Sequence, residues 1–227
     1  MPQTLYIILP ISLVFALFSG FFNLRENPFS RVVSKTIASL LFVVAGILSF
    51  AHTTTKYSVL IIVGLICGMI GDIFLTFDDQ MVNERDKHFF LFGGIAFAIG
   101  HIFYIVFFFN IVNSFNFGLM ALIILLPVIM MIVSKIAEIS AGKITMMLPF
   151  YFLIIALMAA STINFHILNN NIGSKLALSA GILFVASDIA LIFKTFSKFK
   201  NNIVLVYFVL LTYYVAQGLF AIMIFFI

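Results

Sequence analysis

The sequence predicts an all-α, polytopic transmembrane helix bundle of about eight spans, and three observations carry that expectation. The 227 residues are 64% hydrophobic and only 9% charged, with a mean hydropathy of +1.26, which no soluble domain of this length shows. Eight apolar segments each approach the ~20 residues that a bilayer core requires. The breaks between them are short, carry turn formers or charge, and hold no soluble insertion. Residues 1–227 therefore read as one integral-membrane domain.

Taken in order, the spans run Leu5–Phe22, Val32–Phe50, Val59–Phe77, Phe89–Phe109, Phe117–Val133, Ile144–Ile163, Leu176–Phe193 and Ile203–Ile227. The first has no basic leader region or Ala-x-Ala-like cleavage site, so it is expected to be retained. Asn27-Pro28 separates it from the second, and Thr53-Thr54-Thr55 separates the second from the third. The remaining breaks are Asp78 to Lys87, Asn110 to Asn116, Ala141-Gly142, Asn169 to Gly173, and Lys198 to Asn202. Thirty Phe and no Trp leave Phe and Tyr to serve at the interfaces.

The basic residues orient the bundle. Arg25, Arg31, Lys35, Arg85, Lys87, Lys135, Lys143, Lys194, Lys198 and Lys200 all fall in or beside the loops after spans 1, 3, 5 and 7. Only Lys56 and Lys175 fall on the opposite side. By the positive-inside rule the odd-numbered loops are cytoplasmic and both termini external, as expected for a bacterial inner membrane. The net charge of +4 reads as loop topology, not nucleic-acid affinity. The single cysteine, Cys67, lies within a span, so no disulfide framework is expected.

Against this apolar background, Asp72 stands out. It sits in Gly64-Leu-Ile-Cys-Gly68-Met-Ile-Gly71-Asp72-Ile-Phe-Leu-Thr76-Phe77. An acid in hydrocarbon costs several kcal/mol (roughly 2.5–3.5 on insertion scales), which makes it a functional-site hypothesis by default. Gly64, Gly68 and Asp72 recur every four residues and share one helical face, where small residues admit a neighbouring helix. Asp72 lies five residues from the cytoplasmic end of its span, about 8 Å deep at ~1.5 Å per residue. That is close to the depth of a phospholipid's glycerol and first chain linkages.

Span 7 echoes span 3. Ser187-Asp188-Ile-Ala-Leu-Ile-Phe193 matches Gly71-Asp72-Ile-Phe-Leu-Thr-Phe77 as small-Asp-Ile-x-Leu-x-Phe. In the next span of each half, His101 follows Asp72, and Gln217 follows Asp188, at the same spacing. Two four-helix halves in parallel repeat would give this pattern; so would convergence of apolar helix sequence. Either way Asp72 and Asp188 are the acids buried in spans, and one shared site for both is expected.

Other polar residues fall near that depth or face the same interior. Lys35 either snorkels to the headgroups or pairs with one Asp and keeps it ionised. His101 and Tyr104 share a face of span 4, with His101 about 18 Å from the cytoplasmic end. Tyr213 and Gln217 on span 8, and Tyr151 on span 6, can line the same cavity or serve as packing contacts. His52, His88 and His166 lie at span ends, so no His or acid cluster suits a metal, and no metal or organic cofactor is expected. Buried acids, a His and a repeat-like architecture also suit a proton- or ion-coupled transporter.

In this order and spacing, a set of residues resembles the YhhN-like family, the lysoplasmalogenases. The set is Lys35, Gly71-Asp72-Ile-Phe-Leu, Phe92-Gly93, Gly100-His101-x-x-Tyr104, Pro149-x-Tyr151 with Met158, Ser187-Asp188, and Tyr213-Tyr214-x-x-Gln217. The resemblance covers nearly the whole chain from Lys35 onward. One departure is Thr36, where the family's span 2 lysine is often followed by Pro. The resemblance implies hydrolysis of the vinyl-ether bond of a lysophospholipid, giving a fatty aldehyde and a glycerophospho-ethanolamine or -choline. A vinyl ether hydrolyses by protonation of its β-carbon, and water then attacks the oxocarbenium ion. Glycosidases meet a similar demand with two carboxylates. Asp72, Asp188 and His101 are then the expected catalytic residues, and Lys35, Tyr104, Tyr151, Tyr213 and Gln217 the expected substrate-binding ones.

Overall fold

A computed structural model of the protein describes residues 3–53, 55–78, 88–139, 142–198 and 202–227. Its helices are α1 (Gln3–Leu24), α2 (Pro28–Phe50), α3 (Val59–Asp78), α4 (His88–Ile111), α5 (Met120–Ile136), α6 (Leu148–Asn169), α7 (Ile172–Phe196) and α8 (Ile203–Met223). All eight are long and apolar enough to cross a membrane, and no strand occurs among the described residues. The protein is an all-α polytopic helix bundle. Three expected spans differ from the helices at one end because a short 3-10 turn stands there: Phe117–Leu119 before α5, Gly142–Met146 before α6, and Ile224–Phe226 after α8. Arg85, Lys87, Lys200 and the side chain of Lys143, which entered the orientation reading, lie outside the described residues.

Local chemistry explains where the helices start and stop. Asn27 caps α2 by accepting the Ser30 N–H at 3.1 Å, and Pro28 occupies the first helical turn, where its missing N–H costs nothing. Asn171 and Ser174 exchange hydrogen bonds in a capping box that opens α7. Asn202 accepts from the N–H groups of Val204 and Leu205 at the start of α8. Helix α6 ends at Asn170 in the left-handed region (φ 42°), which asparagine tolerates better than most residues. Four asparagines in three breaks thus do the work that water does at the helix ends of a soluble protein.

Helices adjacent in sequence pack side by side, with one exception at α4 and α5. Longer-range packing joins α2 to α8, α4 to α6, and α1 to α8. Shifting each helix by four turns α2–α8 into α6–α4, as two parallel four-helix halves require. The symmetry breaks at the periphery. Helix α1 packs on both α2 and α8, whereas its counterpart α5 packs on α6 and makes no comparable contact with α4. Helix α8 is the most buried of the eight and α5 the least.

The interior is aromatic. Phe42, Tyr104, Phe107, Phe108, Phe152, Phe184 and Phe220 are fully buried, and the Tyr104 and Phe220 rings lie 4.4 Å apart. With lipid as apolar as Phe, such contacts hold helices by close packing, not by exclusion of water. The glycine face of α3 makes room for two of these polar-tipped side chains. A Cβ at Gly64 would collide with the Tyr104 ring, and one at Gly68 with the Gln217 amide.

Candidate active site

Asp72 and Asp188 both lie in the half of the bundle nearest the α1–α2, α3–α4, α5–α6 and α7–α8 connections, called here the basic end. Both are almost fully buried. Both line one cavity, which offers about 60 Å³ of room. Its lining includes the basic side chains of Arg31, Lys35 and Lys194, with Tyr213 on one wall. Two acids far apart in sequence therefore share one site, and three cations share it with them.

The surroundings of the two acids differ. Asp72 has both oxygens engaged. Its Oδ1 lies 3.3 Å from Lys35 Nζ, and its Oδ2 accepts from Ser39 Oγ at 2.6 Å. The Tyr214 hydroxyl lies 3.4 Å from the same Oδ2 and 3.0 Å from Ser39 Oγ. Lys35 and Ser39 stand one helical turn apart on α2, so one face of that helix delivers both to α3. Between the two readings of Lys35, the ion pair holds.

Asp188 has its donors on one oxygen. Oδ2 lies 3.3 Å from His101 Nε2 and accepts from the Tyr151 hydroxyl at 3.2 Å. No described residue hydrogen-bonds Oδ1. The His101 ring meets Phe184 edge-on at 4.6 Å, and its Nδ1 has no hydrogen-bond partner among the described residues. With the Asp188 carboxyl as its hydrogen-bond partner among the described residues, the ring is assigned a proton on Nε2, which donates to Asp188.

The remaining expected residues form a third group. Tyr104 donates to Gln217 Oε1 at 2.8 Å, and Gln217 Nε2 donates to the Tyr213 oxygen at 3.1 Å. His101 and Tyr104 share a helix face, as their spacing required, yet they have different polar partners. Tyr104 and Gln217 do not line the two-acid cavity. They brace Tyr213, which does.

Three residues of the site are not among the expected catalytic or substrate-binding ones. Arg31 entered only as a loop charge, but it is buried on α2; its guanidinium donates to Asn23 Oδ1 and, at 2.6 Å, to the Thr76 carbonyl. Ser39 and Tyr214 complete the Asp72 shell. A signal for two of them exists in the sequence, since Arg31, Lys35 and Ser39 recur every four residues and must share one stripe of α2. No group of three or more His, Cys, Asp or Glu side chains able to hold a metal occurs among the described residues.

The arrangement can do acid–base work away from bulk water. One carboxylate is held beside an ammonium, and the other is flanked by an imidazole and a phenol, both placed to stabilise charge on Oδ2. Comparison with known proteins agrees on the family. No curated protein and no solved structure gives a significant match. The YhhN family model, however, matches residues 30–224, which include Asp72, Asp188 and each of their partners. The chain belongs to the YhhN family.

Proposed function

We propose that the protein hydrolyses the vinyl-ether bond of lysoplasmalogens, releasing a fatty aldehyde and a glycerophospho-ethanolamine or -choline. Asp72 and Asp188 act as a working pair. The observation that carries this reading is that two carboxylates from different halves of the bundle line one cavity with different partners. Family membership supports it at the level of a membrane hydrolase.

The chemistry asks for an acid able to protonate carbon, a negative charge near the resulting oxocarbenium ion, and a positioned water. One aspartate supplies the proton and the other the charge, a division of labour like that of paired glycosidase carboxylates. Lys35 sets its ammonium against Asp72 Oδ1, and the Ser39 hydroxyl donates to Oδ2. Cations at the cavity wall suit the lipid's phosphate. The basic end faces the cytoplasm of a bacterial inner membrane, with both termini external, so the site meets lipid of the inner leaflet.

The test is purified protein in lipid nanodiscs, incubated with lysoplasmenyl-ethanolamine and assayed for aldehyde. Release that depends on protein and scales with its amount supports the reading. No aldehyde from the wild type, together with pH-driven solute uptake into vesicles, would instead make the protein a coupled transporter.

A further inference from the structure

Asp188 lines a second cavity as well, and that cavity is of a different kind. It offers about 230 Å³ of room between α4, α6 and α7, against about 60 Å³ in the first cavity. Of its lining residues only Asp188 and Tyr151 carry polar side-chain atoms. The two cavities share Leu75, Phe90, Phe97, Leu191 and Asp188, and Asp188 is the single polar member of that shared wall. One chamber is basic, the other is greasy, and a carboxylate stands where they meet.

The greasy chamber also faces the bilayer. Its rim includes Ile95 on α4 and Phe150 on α6, which are 41% and 70% exposed on surfaces that belong to lipid. The flank is open because α5, unlike its counterpart α1, does not pack across to the neighbouring half. Gly94 lies on the chamber wall, and a Cβ placed there would meet no atom within 4 Å. Nothing in the packing of α4 requires glycine at that position, whereas a lodged chain would use the space.

We propose that the hydrocarbon chain of a single-chain phospholipid lies in this α4–α6–α7 chamber, entering sideways from the bilayer, with its phosphate in the basic chamber among Arg31, Lys35 and Lys194. This rests on the hydrolase reading above and deepens it, because the bond between chain and headgroup then crosses Asp188. Asp188 is the proton donor, and Asp72 is the fixed charge. The hydrogen bonding agrees: both donors to Asp188 fall on Oδ2, which leaves Oδ1 for the lipid, whereas each oxygen of Asp72 already has a partner.

The step balances. The vinyl π pair takes the Oδ1 proton at the β-carbon, and the ether oxygen shares its lone pair to give the oxocarbenium ion. His101 and Tyr151 stabilise the carboxylate left behind. Water adds at the α-carbon and returns a proton to Asp188. The hemiacetal then breaks into aldehyde and glycerol hydroxyl, with one water consumed.

The experiment pairs two readouts on the full chain in nanodiscs. A non-hydrolysable ether lysophospholipid with a photoreactive group at mid-chain is cross-linked and the adducts are mapped. Adducts are expected on α4 and α6 near Gly94, Ala98 and Ile154, and Gly94→Phe should abolish them. In turnover, Gly94→Phe should lower the ratio of kcat/KM for a hexadecenyl over a butenyl substrate by about tenfold or more. Ala98→Phe should do the same if Gly94→Phe fails to fold. Equal bulk on the lipid face of α5, Ile124→Phe, should leave the ratio unchanged. Adducts confined to other helices, or an unchanged chain-length ratio in both chamber variants, would overturn the proposal. Aldehyde release without chamber adducts sinks the chain seat and spares the hydrolase; chamber adducts without aldehyde do the reverse.

Discussion

Lys35 Nζ lies 3.3 Å from Asp72 Oδ1 in a pair whose side chains are only 14% and 3% exposed. Neither charge is at home in such a place alone. Removing one partner of a buried ion pair typically costs about 3–5 kcal/mol, because the other charge is left uncompensated. Lys35→Met should therefore destabilise the protein more than the double variant Lys35→Met/Asp72→Asn does. Unfolding by SDS in mixed micelles measures both. Equal or additive losses would mean that the two residues do not interact.

The Asp188 pocket offers a finer cut. Tyr151→Phe removes one hydroxyl and keeps the ring, so about 1 kcal/mol of charge stabilisation, or a several-fold fall in kcat, is expected. His101→Phe keeps the edge contact with Phe184 and removes the other donor, with a larger fall expected. Both should fold normally and act on kcat more than on KM. A fall in thermal stability with kcat intact would make these residues packing elements only.

Gly68 and Gln217 make a complementary pair in packing. The Gln217 amide occupies the space of a Cβ at Gly68, so Gly68→Ala should destabilise by about 1–3 kcal/mol. Adding Gln217→Ala should recover part of that loss, since it removes the colliding atoms while freeing Tyr213. A double variant less stable than the sum of the singles would show that α3 and α8 do not meet in this way.

How far these contacts were legible in the sequence follows from what each residue is doing. Asp72 and Asp188 could be found because ionisable groups in hydrocarbon are anomalous, and the echo between their spans suggested one site. The ion pair of Lys35 was one of two readings, since a lysine a turn inside a span can also snorkel. Ser39 and Tyr214 show no such anomaly, although Ser39 keeps the four-residue step of Arg31 and Lys35 and Tyr214 stands in the family pattern. A serine in an apolar helix commonly bonds the carbonyl four residues back, as Ser39 does to Lys35 at 3.0 Å, and that habit hides its bond to Asp72. Arg31 reads as a loop charge because it precedes the apolar run, yet α2 begins at Pro28 and carries it inside. The apolar chamber was invisible for a different reason. Its Phe, Leu and Ile walls have the composition of a lipid-facing surface, and what distinguishes them is that α5 packs on α6 and not comparably on α4.

Solvent isotope reports directly on carbon protonation. Turnover in deuterium oxide should place one deuterium on the carbon next to the aldehyde carbonyl, and the rate should fall about two- to threefold if proton transfer limits it, a change of under 1 kcal/mol in the barrier. Mass spectrometry of the trapped aldehyde reads the label. Aldehyde formed without deuterium at that carbon would exclude an Asp-to-carbon proton step.

The most direct measurement is aldehyde release from lysoplasmenyl-ethanolamine by Asp72→Asn and Asp188→Asn, each compared with wild type at equal folded protein. General acid–base groups contribute roughly 10²–10⁴-fold, so each variant should lose at least the lower figure in kcat, with Asp188→Asn the more severe. Turnover within a few-fold of wild type in either variant would contradict a site built on paired carboxylates.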